Sequence, residues 1–115
     1  MSQKIPKSPV AVRRKQARVL AALGDVTRLA LVAALAGGAP LSIAQLTEGQ
    51  KLTRQAITKH LRVLEEVGIV RGVKSGRESL FEMDPAPILA ARDYLDAVSA
   101  QWDEVLERLK GFVEE

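Results

Sequence analysis

Apolar positions recur at helical spacing over most of the chain and switch to alternation in one stretch near residue 70. Ser8-Pro9 reads as an N-cap followed by proline at the first helical position, where its missing N–H costs nothing. The helix it opens would put Val12, Val19, Leu20 and Leu23 on one side and stop at Gly24. Asp25 can cap a second helix carrying Leu29, Val32 and Leu35, ended by Gly37-Gly38. Ser42 and Gln45 have the spacing of a capping box, which opens a short third helix around Ile43 and Leu46 and ends near Gly49. Thr53 caps the clearest helix, in which Ile57, Leu61 and Leu64 fall at i, i+4 and i+7 and Gly68 supplies the stop. At about 100° per residue, Gln55, Lys59 and Arg62 point away from that stripe, with Arg54 and Thr58 on one flank.

After Gly68 the period falls to two. Ile69 to Lys74 is β-branched and basic, Ser75-Gly76 is a turn signal, and Arg77 to Met83 alternates with Phe81 and Met83 on one face. That is a hairpin. Pro85 and Pro87 punctuate its exit. Residues 87–113 then read as one long helix with Ile88, Ala91, Leu95, Val98, Trp102, Val105, Leu109 and Phe112 at alternating spacings of three and four. Such a seam is a coiled-coil pattern. A helix of that length runs about 40 Å at about 1.5 Å per residue. A domain of this size has a radius of only about 13 Å. Part of the seam is therefore expected to meet a second copy rather than its own core.

Length and composition bound the reading to a single domain over residues 1–115, mainly α with a small β-hairpin. Hydrophobic residues at 47% against 27% charged give an ordinary globular balance. No cysteine occurs, which removes disulfides, zinc-thiolate sites and thiol chemistry. Nothing approaches the roughly 20 apolar residues of a membrane span, and the basic start lacks the apolar run of a signal peptide. A soluble cytoplasmic protein is the expectation, with residues 1–8 a flexible basic tail.

Charge changes the picture more than composition does. Residues 1–18 hold Lys4, Lys7, Arg13, Arg14, Lys15 and Arg18 without an acid. Residues 51–77 hold seven basic side chains against Glu65 and Glu66, whereas residues 82–115 hold nine acids against three bases. The asymmetry predicts a basic face for a polyanion and an acidic remainder directed elsewhere.

Helix, short helix, turn, helix and basic hairpin is the order of a winged helix-turn-helix, with 42–68 as the helix-turn-helix, 69–83 as the wing and 87–113 as a dimerisation helix. Leu23-Gly24-Asp25-Val26-Thr27-Arg28-Leu29 resembles a stretch found in ArsR/SmtB-type regulators, which have proline at the place of Val26. The run from Ala56 to Val70 is similar to the recognition-helix signature of that family, and Gly76-Arg77 to Phe81 to its wing. The resemblance implies a transcriptional repressor that binds a palindromic operator in double-stranded DNA as a homodimer.

The B-DNA major groove, about 12 Å wide, admits one α-helix and displays distinguishable base edges. A helix docked by Ile57, Leu61 and Leu64 would present Arg54, Gln55, Thr58 and Lys59 there, with Arg forking onto guanine and Gln onto adenine. Arg62 lies further along and suits a phosphate. Arg71, Lys74 and Arg77 on the hairpin would meet the neighbouring backbone, and the resemblance puts Arg77 near the minor groove. It also pairs the first and last helices between subunits, which nominates Val12, Val19 and Leu20 with Leu95, Val98, Trp102, Val105 and Leu109. His60, the single histidine, reads as a packing or phosphate-contacting residue.

The chain departs from the metal-sensing members of that family. Their cysteine pair falls here on Ser42 and Ala44, and residues 87–113 contain no histidine. No metal site, cofactor or soft-metal response is expected, and the effector stays open. The turn departs too, with Gln50 and Lys51 where the family usually has a hydrophobic residue and glycine. No nucleophile-base pair or phosphate loop points to an enzyme. The competing reading is a winged-helix module used for protein or RNA contacts.

Overall fold

The computed structural model describes residues 9–114. The cap expected at Ser8 and the tail expected over 1–8 lie outside the described residues. The elements in chain order are α1 (Pro9–Leu23), α2 (Val26–Leu35), β1 (Leu41–Ser42), α3 (Ile43–Glu48), α4 (Arg54–Glu66), β2 (Val70–Ser75), β3 (Glu78–Met83) and α5 (Ala86–Glu114). The fold is mainly helical, with one small antiparallel sheet in the order β1-β3-β2.

Local chemistry accounts for the helix starts. Asp25 accepts from the Arg28 amide at 3.0 Å and begins α2. Ser42 accepts from the Gln45 amide at 3.1 Å while the Gln45 side chain accepts from the Ser42 amide at 2.9 Å, a complete capping box. Thr53 accepts from the Ala56 amide at 3.1 Å and begins α4. At the other end of α4 the chain reverses through Gly68, whose φ of +79° is open to a residue without Cβ. The Gly68 amide bonds to Glu65 O at 2.9 Å and the Ile69 amide to Leu64 O at 3.0 Å. These two bonds form a Schellman motif. They deliver Ile69 straight into the core and start β2 at Val70.

The core is built around α4. Ile57, Leu61 and Leu64 are fully buried against Leu31 and Leu35 of α2, Leu46 of α3, Ile69 just before β2 and Val70 within it, and Val19 and Ala22 of α1. On α2, Leu31 and Leu35 are buried and Leu29 is half exposed. One expectation about helix faces needs correction. Val19, nominated for a subunit contact, is 2% exposed inside its own protomer, on the side of α1 that also buries Ala22. Val12 and Leu20 remain part-buried at the surface.

The hairpin turn falls one residue later than its sequence signal, on Gly76-Arg77. Gly76 has φ +62° and, among the described residues, no non-glycine residue has positive φ, the arrangement of a type II′ turn. Strand β1 was not expected at all. Its two residues pair with β3, Leu41 opposite Phe81 and Ser42 opposite Leu80, and so tie the start of α3 to the hairpin.

Helix α5 packs on α1 through its first turns, where Ala91 is buried and Ile88 half-buried. Beyond them it leaves the body of the domain. Trp102 is 62% exposed, Leu109 57% and Phe112 84%, and Leu106 and Val113 extend the same bare stripe. The molecule measures 67 × 43 × 22 Å, and its radius of gyration of 18.9 Å exceeds the value of about 13 Å for a globular chain of this length.

Candidate nucleic-acid interface

Because three side chains of α4 are locked in the core, its opposite face has a fixed orientation. Arg54, Gln55, Lys59 and Arg62 are exposed on that face and Thr58 is half-buried. The Thr58 hydroxyl donates back to Arg54 O at 2.8 Å, which restrains its rotamer and leaves the hydroxyl oxygen able to accept. All five, with Ile43 of α3, line one shallow cleft. Thr58 and Arg62 also line a second cleft with Gly72, Val73, Lys74 and Ser79 of the hairpin. The two clefts share these residues and so adjoin along α4, one toward α3 and one toward the wing. Ile43, Gly72 and Ser79 line these clefts although none carries a charge that would flag it; Ser79 faces Lys74 across the strands.

The three wing cations are not equivalent. Lys74 lies in the cleft and Arg77 in the exposed turn. Arg71 is opposite Glu82 in register, and its Nε donates to Glu82 Oε1 at 2.7 Å. That hydrogen bond and the adjacent carboxylate charge push the Arg71 guanidinium's pKa further up. One nitrogen of Arg71 is thereby already committed within the sheet.

Two cations of the basic N-terminal run, Lys15 and Arg18, stand apart from this face. Lys15 and Arg18 of α1 line a separate cleft with Val19, Glu66 and Val67 at the C-terminal end of α4. Basic side chains therefore stand in two places, at the front half of α4 with the wing and, through Lys15 and Arg18, on α1.

Asp25 holds both the α2 cap and a neighbour on α4. The Arg28 amide bonded to its carboxylate lowers the Asp25 pKa, with the Arg28 and His60 side chains adding to the effect against some desolvation. A depressed carboxyl stabilises the fold above its unfolded pKa, and that contribution fades as pH falls through the lowered folded value. Among the described residues no three His, Asp or Glu side chains come together to hold a metal, and no helix is long and apolar enough to cross a membrane.

Residues 17–73 match the family described as a helix-turn-helix domain. The HTH-type transcriptional regulator Rv2034 of Mycobacterium tuberculosis is 35% identical over 83 residues, which make up 72% of this chain and 77% of that protein. An ArsR-like transcriptional regulator from Rhodococcus sp. RHA1 is 34% identical and matches with a TM-score of 0.78 over 89% of this chain and 95% of its own. The homodimeric winged helix-turn-helix DNA-binding domain Mb0332 from Mycobacterium bovis shares the fold, with 21% identity and a TM-score of 0.63 over 93% of this chain and 95% of its own.

Proposed function

Because the chain belongs to the ArsR-like helix-turn-helix transcriptional regulators, we propose that it binds a palindromic DNA operator as a homodimer and represses transcription by occupying it. The observation that carries this reading is the outer face of α4. Its five polar and basic side chains stand on a helix whose inner face is wholly buried, so they can enter a groove without rearranging the core. Arg54, Gln55, Thr58 and Lys59 meet base edges, while Arg62, Lys74 and Arg77 meet phosphates. Arg71 contacts the backbone through the guanidinium nitrogens that Glu82 leaves over.

Dimerisation follows from the bare stripe on α5. Two recognition helices reach successive turns of one duplex face only when a twofold axis sets them about 34–36 Å apart. Leu95, Val98, Trp102, Val105 and Leu109 offer the same surface from each copy, as an isologous contact requires, with Val12 and Leu20 of α1 at its edge. The protein acts by binding rather than by catalysis, in the cytoplasm alongside the DNA. Any signal that releases it works without the family's thiol or paired-histidine sites, since Ser42 and Ala44 stand where the cysteines would be.

The test is selection of bound fragments from a genomic library with the purified chain, repeated at several salt concentrations. A twofold-symmetric motif with half-sites one helical turn apart, and affinity that falls steeply with salt, is the expected result. Absence of any enriched duplex would end the reading. Binding to protein or RNA with little salt dependence would replace it by the interaction-module alternative.

A further inference from the structure

His60 lies on the flank of α4 turned away from the hairpin, against the start of α2. Arg28 reaches it from a fixed base. Its Nε donates to Ala22 O at 2.5 Å and its Nη2 to Ala21 O at 3.4 Å, both carbonyls of the last turn of α1. Its Nη1 stands 3.2 Å from His60 Nδ1. A guanidinium has donors only and keeps its proton. A neutral ring paired in this way accepts at Nδ1 and carries its proton on Nε2. Asp25 Oδ2 lies 3.8 Å from the same Nδ1. Arg28 of α2 and Asp25, the cap that precedes it, thus both lie at the Nδ1 edge of the ring. Among the described residues nothing pairs with Nε2, and the side chain is 23% exposed.

We propose that His60 contacts DNA, donating from Nε2 to a phosphate oxygen of the operator backbone, and that Arg28 is the positioning residue that sets its ring and tautomer. The inference rests on the DNA-binding reading above. A phosphate fits better than a base because of where His60 lies around the helix. At about 100° per residue it falls well to one side of the line through Gln55, Lys59 and Arg62. Side chains on the flank of a helix in the major groove meet the groove walls, which are phosphate backbone. The contact differs from those of Arg62 and Lys74 in one measurable way. A neutral donor displaces no counterion, so it adds affinity without steepening the salt dependence.

Two substitutions separate this role from mere packing. His60→Asn keeps an acceptor near Nδ1 for Arg28 but has no donor at Nε2, whereas His60→Gln carries an amide donor out to the Nε2 position. The expected result is that His60→Asn melts like wild type yet binds the operator about tenfold more weakly, the loss of one hydrogen bond to a charged acceptor. The slope of log affinity against log salt should stay unchanged, and His60→Gln should recover most of the loss. Nitrogen-15 NMR of the unsubstituted protein should show a single Nε2–H tautomer that becomes a mixture in Arg28→Lys. An Nδ1–H tautomer in wild type, which needs no variant to fold, would overturn the proposal. So would wild-type affinity in His60→Asn, or a Gln variant as weak as Asn. Failure of wild type to bind any duplex would remove the DNA-binding reading as well, whereas normal wild-type binding with an inert His60→Asn removes this inference alone.

Discussion

Helices α4 and α5 carry the same kind of apolar stripe and meet opposite fates. On α4, Ile57, Leu61 and Leu64 have no exposure, because α2, α3 and β2 close over them. On α5, only Ala91 is buried and every large apolar residue from Leu95 onward keeps substantial exposure, apart from half-buried Val105. The working surface of α4 is its polar face; that of α5 is its apolar one. Periodicity identifies an apolar face but not what covers it. Length supplies the missing information, since 29 residues of helix outrun a core this small.

The sharpest way to break this contrast is to truncate one stripe at a time. Leu61→Ala removes a side chain from a packed interior and should destabilise the fold by about 2–5 kcal/mol, read from denaturant midpoints at constant m. Trp102→Ala should instead leave the unfolding of a dilute protomer nearly unchanged. If the two cost the same at all protein concentrations, α5 packs within its own chain and the contrast fails.

The second experiment loads charge onto the bare stripe. Trp102→Asp combined with Val105→Asp should give a monomer by sedimentation, with far-UV helicity largely kept. Two-site engagement of the operator is then lost, and affinity for a palindrome should fall about a hundredfold or more. A folded wild-type monomer at micromolar concentration that still binds the palindrome tightly would contradict the dimer.

On α4 itself the contrast to sharpen is between base reading and backbone holding. Gln55→Ala should cost about 1–3 kcal/mol on the operator and relax preference at one position of the half-site. Lys74→Ala should weaken specific and random duplexes alike and reduce the salt slope by about one. Equal losses on specific and random DNA for Gln55→Ala would remove the base-reading role.

How far the sequence announced these features depends on whether their chemistry is local. The caps at Asp25, Ser42 and Thr53 and the stop at Gly68 involve residues three or four apart, so their spacing alone identifies them. Leu29 against Leu31 could not be decided that way. Both lie on an almost uncharged helix, and only the packing of α2 on α4 selects one face. Strand β1 has two residues and exists only because β3 pairs with it, so no local pattern marks it. The cations of α1 and of the wing looked like one surface because charge along the chain carries no direction; α1 lies against the far end of α4. The bond from Arg28 to His60 spans 32 positions and was equally out of reach.

The smallest effect concerns a neighbour of Lys74 on the wing. Arg71 sits on the same strand, yet Glu82 directly across the ladder holds its Nε. The pair is solvent-exposed on the Arg side, so it contributes little to stability. Its effect on binding has two parts of opposite sign. Glu82 holds the guanidinium in one orientation with Nη1 and Nη2 still available, which favours a phosphate contact. Its carboxylate also places a negative charge beside the DNA backbone, which opposes one. In water-exposed geometry the repulsion should prevail, because the orienting contact fixes only one nitrogen. Glu82→Gln, which keeps the acceptor and removes the charge, should therefore raise operator affinity about two- to threefold at low salt, with the gain fading as salt screens it. Arg71→Ala should cost less than Lys74→Ala in the same titration. A loss in Glu82→Gln would show instead that the carboxylate acts mainly by orienting Arg71, and the three wing cations would then contribute as equals.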